Sequence, residues 1–327
     1  MKKMKKTNVF RIALSIAIFS VIGISNVVAQ SINVPIKERT VKKHLYTLAS
    51  DEMGGRKPGT EGIEKAARYI EKEFKKYGLK TFEGLTSYRQ NFEHRGIKMF
   101  NVIGVLEGTT RKNEYVVVSA HYDHLGTKKE GEGDLIYNGA DDDASGTSAV
   151  LALAEYFSKK GKNKRTIIFI AFTAEEMGLV GSTYFGKGVD ASKYVAGINI
   201  EMIGKESKYG PKTAWLTGFD RSDFGKIIQK NLKGTGYKLY PDPFPKFNLF
   251  FRSDNASLAR LGIPSHTFST GPIDVDVHYH KVSDEPETLN VSNITETIKA
   301  IALGTESIIN GKDTPTRVVI KERKRNK

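Results

Sequence analysis

Residues 166–172 read T-I-I-F-I-A-F, a run with one hydroxyl and no charge. A strand with one solvated face alternates apolar and polar residues; a run apolar on both parities belongs to a strand covered on both faces. Such a strand needs a layer above the sheet and a layer below it. Residues 100–106 and 115–119 read as further strands, and 195–202 and 265–268 as two more. Helical spacing lies between them. Residues 38–50 place Val41, Leu45 and Leu48 on one face. Thr60 stands where it would N-cap a helix carrying Ile63, Ala67, Ile70 and Phe74, and Gly78 follows as its stop. Residues 149–157, 179–185, 223–232 and 293–309 complete the helices. Strands alternating with helices predict an α/β fold, a mixed, largely parallel central sheet flanked by helices.

The chain of 327 residues opens on Lys2, Lys3, Lys5, Lys6 and Arg11, followed by an apolar stretch to Val28. Val27-Val28-Ala29 sets small residues ahead of Gln30, so residues 1–29 read as a secretory signal peptide and the mature chain as exported, periplasmic or extracellular. The other reading of this stretch is an uncleaved N-terminal anchor; cleavage leaves no stable membrane anchor. The leader's five basic residues account for five of the +14 formal charges, leaving +9. The remaining Lys residues are scattered, with a cluster at 321–327, and no basic stripe interleaves with aromatics; nucleic acid is not an expected partner. There is no cysteine, so stability must come from the core and from any bound metal. No internal repeat or low-complexity linker interrupts residues 30–311, which read as one domain, and 312–327 read as a basic flexible tail. Residues 205–272, rich in Gly, Pro and aromatics, would supply loops that wall a substrate cleft.

Chemistry concentrates where predicted strands stop. After the strand at 115–119 come A-H-Y-D-H-L-G and then N-G-A-D-D-D-A-S-G, which leads into a helix. Glu175-Glu176 follow the strand ending at Phe172, and Glu201 follows G-I-N-I. A fifth segment, Val277-His278-Tyr279-His280, lies later in the chain. In an open α/β sheet the carboxyl ends of the strands are where ligands bind. Crowded carboxylates repel and lose hydration unless a positive charge lies among them, and divalent cations are the simplest such charge. Imidazole with carboxylate suits zinc, although cobalt or manganese fits the same donor set. No G-x-S-x-G, H-E-x-x-H or phosphate-binding glycine loop occurs, which disfavours serine hydrolases, zincins and nucleotide enzymes.

Seven motifs in order give the chain a family resemblance. They are R-K-P-G-T-E-G (56–62), A-H-Y-D-H-L-G (120–126), G-A-D-D-D-A-S-G (139–146), F-T-A-E-E-M-G-L-V-G-S (172–182), N-I-E-M-I-G (199–204), R-S-D-N with L-G-I-P (252–255, 261–264) and Y-H-K-V-S-D (279–284). The sequence resembles the secreted di-zinc aminopeptidases of the aminopeptidase S and aminopeptidase Y type, metallopeptidase family twenty-eight. The resemblance covers most of residues 40–310 and implies the three-layer zinc-peptidase sandwich of phosphorylase/hydrolase type. It also implies roles. His121 would bind one zinc, with Asp123 holding its ring. Asp142 would bridge both zincs, and the peptide after it is typically cis in the family. Glu176 and His280 would bind the second zinc. Glu175 would be the general base, and Tyr279 would help stabilise the oxyanion. Glu201 stands where the family usually has Asp, as the other ligand of the His121 zinc; the extra methylene bears on that site's geometry. Arg252 and Asp254 would line the cleft, although Asp254 is equally placed to cap the helix after it. His124 and His278 read as cleft residues, with a swap between His278 and His280 left open, and Asp141 and Asp143 as loop residues.

The implied activity is removal of N-terminal residues from peptides, with two zinc ions per chain. The alternatives are another exopeptidase (carboxypeptidase or dipeptidase), a single-zinc glutaminyl-cyclase-like transferase, and a non-enzymatic binding ectodomain of the same fold. Metal content separates these classes. Side-chain preference and oligomeric state are not written in the sequence.

Overall fold

The computed structural model describes residues 32–320. The leader and the last seven residues of the basic tail lie outside the described residues. The strands are β1 (Lys80–Thr81), β2 (Arg89–His94), β3 (Ile97–Leu106), β4 (Arg111–His121), β5 (Gly126–Thr127), β6 (Ile136–Tyr137), β7 (Arg165–Phe172), β8 (Tyr194–Ile200), β9 (Thr213–Leu216), β10 (Lys238–Pro241) and β11 (Ser265–Ser269). The helices are α1 (Glu38–Leu48), α2 (Glu61–Lys76), α3 (Gly146–Lys160), α4 (Val180–Lys187), α5 (Phe224–Asn231), α6 (Asn255–Ala259) and α7 (Val291–Ile309). The main sheet runs β1-β3-β7-β4-β8-β11-β9-β10, with β2 also on β3 and β5-β6 a separate ribbon. Its centre, β7-β4-β8-β11, is parallel, and antiparallel pairs join it on both sides. This is the mixed, largely parallel sheet flanked by helices that the sequence predicts.

Every residue of β7 is buried. Ile167, Phe169 and Ala171 join the core beneath α1, α2, α3 and α7; Ile168, Ile170 and Phe172 join a second core with Phe185 of α4 and Leu258 of α6. The alternation of the strand thus feeds two helix layers, and each large side chain so buried contributes ~1.5–3 kcal/mol. Among the described residues no helix is long and apolar enough to cross a membrane.

Some local expectations change. Thr60 occupies the N-cap position of α2 but makes no capping bond; its hydroxyl donates to the Lys57 carbonyl at 2.7 Å. Gly78 does end that helix at φ 73°, and Leu79 N–H reaches back to Phe74 O. Strands β2, β9 and β10 escape the sequence pattern because the first is half-exposed and the others have four residues each. Residues 313–318, expected in the tail, pack on the domain. Arg165 donates to Asp313 O at 2.7 Å, Arg317 donates to Tyr194 O at 2.7 Å, and Val318 is buried.

Candidate metal centre

Parallel strands β4, β7 and β8 end on one edge, with His121 paired to Phe172 and Ser119 to Asn199. Their exits therefore deliver His121–His124, Glu175–Glu176 and Glu201 to the same side of the sheet. The turn before α3 adds Asp142, and the loop after β11 adds His280.

Asp142 lies at the middle. Its Oδ1 is 3.2 Å from His121 Nε2 and its Oδ2 is 3.1 Å from His280 Nε2. His280 Nε2 is also 3.2 Å from Glu176 Oε2. One carboxylate thus presents each oxygen to a different imidazole. Burial opposes ionisation of Asp142, yet His121 and His280 hold it well below the usual carboxylate range. Burial likewise opposes charge on His280, but Asp142 and Glu176 outweigh it and lift its pKa to about 10. The peptide joining Asp142 to Asp143 is cis.

Around the His121 side the balance is negative. Burial pushes Glu201 and Asp254 up to about 7; Asp142 and Glu176 add to the rise at Glu201, and Asp123 and Glu201 to that at Asp254, with His121 opposing both. Burial also raises Glu175 well above the ordinary range, with Glu201, Asp254 and Glu176 adding to it against the pull of His121. Buried atoms without a hydrogen-bond partner include His121 Nε2, Glu176 Oε1, Glu201 Oε2, both Asp254 oxygens and both nitrogens of His124. So many unsatisfied N and O donors facing one region fit bound divalent cations, which would satisfy donors and neutralise carboxylates together. The ligand atoms of His124, Asp142 and Glu176 all lie within 4.8 Å of one another.

Asp123 holds the His121 ring as expected, but through its backbone. His121 Nδ1 bonds the Asp123 backbone carbonyl at 3.2 Å, while the Asp123 carboxylate is 3.7 Å away. That carboxylate instead accepts Glu175 N–H at 3.1 Å and Glu176 N–H at 3.4 Å, fixing the backbone of both glutamates. Asp254 makes no helix-capping bond, which removes the cap reading. His278 bonds Ser283 at 3.0 Å, and His280 is the one that faces Asp142. Tyr279 stacks on His280 with ring centroids 4.0 Å apart. Tyr279, Glu201 and Arg252 line a pocket completed by Trp215, Leu249 and Ile273.

Two supports went unread in the sequence. Asp284 accepts the backbone N–H groups of Asp141 (3.0 Å) and Asp142 (3.1 Å), so it shapes the turn that aims Asp142. Arg56 is fully buried and donates to the carbonyls of Leu48, Tyr122, Asn138 and Gly139, tying the two ligand loops together. Both lie inside motifs quoted above, and a charged residue in a loop motif was the available signal. Asp141 and Asp143 are loop braces, accepting Gly204 N–H (2.7 Å) and Met202 N–H (3.1 Å) respectively.

Comparison with known proteins bears on the same region. The model described as Peptidase family M28 matches residues 101–304. A probable zinc metalloprotease of Pyrenophora teres f. teres is 34% identical over 158 residues, covering 45% of this chain and 32% of its own length. Leucine aminopeptidase 1 of Trichophyton rubrum is 30% identical over 239 residues, covering 69% of this chain and 60% of its own length. The chain therefore spans less than two thirds of these relatives. The zinc aminopeptidase BSAP of Bacillus subtilis superposes with a TM-score of 0.71 at 16% identity, over 89% of this chain and 100% of that one. Glutaminyl cyclase of Porphyromonas gingivalis does so with 0.66 at 16% identity, over 84% and 99%. These two likenesses concern the fold.

Proposed function

We propose, since this chain belongs to peptidase family M28, that it is an exported zinc aminopeptidase with two zinc ions sharing Asp142. The observation that carries this reading is the placement of the two Asp142 oxygens, 3.2 and 3.1 Å from different imidazoles. His121, Asp142 and Glu201 would hold one ion; Asp142, Glu176 and His280 would hold the other. When bound, such a pair supplies a Lewis acid for the scissile carbonyl and brings the pKa of water down to about 7.

The chain's own groups do the rest. Glu175 takes the proton of the attacking water and delivers it to the leaving amine, a role worth on the order of 10²–10⁴ in rate. Burial, with Glu201, Asp254 and Glu176 beside it, favours its protonated form, which strengthens it as the base that takes the water proton. The N–H bonds to Asp123 keep Glu175 and Glu176 at a fixed separation, so that one serves as base and the other as ligand. Tyr279 carries a hydroxyl whose pKa burial raises above its ordinary value; it stays protonated and donates to the developing oxyanion. The pocket between Trp215, Leu249 and Ile273 receives the side chain of the first residue. Peptides are the substrates.

A cyclase shares the fold, so the fold does not decide between the two chemistries. What supports the aminopeptidase reading is a donor set large enough for two ions: His121, Asp142, Glu176, Glu201 and His280. The test is a panel of aminoacyl-anilides against the same compounds with a blocked amino group and against C-terminally exposed peptides. Cleavage restricted to free amino termini supports the reading. Ring closure of N-terminal glutamine without peptide cleavage contradicts it.

A further inference from the structure

His124, read from the sequence as a cleft residue, is given no part in the proposed reaction. It lies three residues beyond the end of β4 with its ring fully buried, and both ring nitrogens lack a hydrogen-bond partner. An unsatisfied buried polar group costs ~1–3 kcal/mol, so two on one side chain call for a missing partner. Its Nδ1 lies 2.9 Å from Glu176 Oε1 and 3.9 Å from Asp142 Oδ2, yet neither contact is aligned as a hydrogen bond. His121 Nε2 shows the same pattern, 3.2 Å from Asp142 Oδ1 and equally unaligned. Donors that crowd together without pointing at one another are aimed at a common third point. Ligands of one tetrahedral zinc, with bonds of ~2.0–2.1 Å, stand about 3.3 Å apart. The separations around Glu176 and Asp142, from 2.9 to 3.9 Å, bracket that value.

The ring has little freedom to leave this position. His124 N–H donates to Arg56 O at 3.3 Å, and a Cβ on Gly139 would lie 2.5 Å from the ring's Cγ. Its edge meets the His280 ring with centroids 5.8 Å apart. We propose that His124 is a fourth protein ligand, through Nδ1, of the ion held by Asp142, Glu176 and His280. The inference rests on reading that group as a metal site. Four protein donors close a zinc site, as in structural centres. The position left for water then belongs to the ion on the His121 side, beside Glu175.

The test is diffraction at the zinc edge from the zinc-loaded protein, paired with chelator competition on His124→Ala. The expected structure has His124 Nδ1 at a bonding distance of ~2.0–2.1 Å from one zinc. The variant is expected to bind one of its zincs on the order of 100-fold more weakly or worse, beyond the 10–100-fold typical of an outer partner, with recovery in millimolar imidazole. A ring held off the metal and hydrogen-bonded to Glu176 would overturn the proposal, as would a folded variant with parental affinity at both sites. If His124→Ala does not fold, His124→Asn keeps a donor near the Nδ1 position, and loss of its zinc with no imidazole recovery counts against ligation. A parent holding a single zinc bound by His124 would keep this inference and sink the two-ion reading. Two zincs with only His121 and His280 as imidazole ligands would do the reverse.

Discussion

Glu175 and Glu201 are the residues whose charge state matters most. Replacing Glu175 by Gln keeps the shape and removes the base, so turnover is expected to fall by on the order of 10²–10⁴ with zinc content unchanged. Steady-state kinetics with metal analysis checks this; loss of metal would make Glu175 a ligand instead. Glu201 is lifted from 4.5 to about 7, by burial first and by Asp142 and Glu176 after it, with His121 opposing. A carboxyl whose pKa is raised by folding stabilises the folded state at low pH and loses that contribution as pH climbs through the folded value. In the metal-free protein, the stability of Glu201→Gln relative to the parent should therefore grow by up to ~1.4 kcal/mol per pH unit between about 4.5 and 7. Urea unfolding in chelator at several pH values reads the slope, and a constant difference would contradict the assignment. The residue scale also marks where sequence reading stops. The segments that the structure gathers were legible, because imidazoles and carboxylates recur at strand ends; the proposed ligand roles came from the family resemblance. That Asp123 uses its carbonyl for His121 and its carboxylate for the two glutamates depends on backbone direction after β4, which residue identity does not encode.

At the scale of elements, β7 and the turn before α3 carry separate duties. Phe169 is buried in the core beneath the larger helix layer, and Phe169→Ala is expected to cost about 3–5 kcal/mol. Thermal or urea unfolding measures it; a cost below ~1 kcal/mol would mean the core repacks. The turn is held from outside by Asp284, which accepts the N–H groups of Asp141 and Asp142. Asp284→Ala is expected to weaken zinc binding about 10–100-fold while the sheet stays intact. Competition titration with circular dichroism separates the two effects, and unchanged affinity would remove Asp284 from the account. Strands β3, β4, β7 and β8 were legible because they are long or unbrokenly apolar. Strand β2 reads R-Q-N-F-E-H, whose exposed polar residues mimic a loop; its pairing to β3 supplies what its own sequence does not.

At the scale of the molecule, two helix layers over a parallel centre leave one sheet edge free for ligand-bearing loops, and all the proposed ligands come from that edge. We propose from residues 1–29 alone that the chain is exported; without their five basic residues the remainder carries +9, fourteen less five. The central claim is that one carboxylate, Asp142, serves two cations. Its most direct test is zinc content per chain for protein beginning at Gln30, measured for the parent and for Asp142→Asn after the same dialysis. The account predicts two zincs in the parent and loss of both from the variant. One zinc in the parent, or two retained by Asp142→Asn, would contradict it.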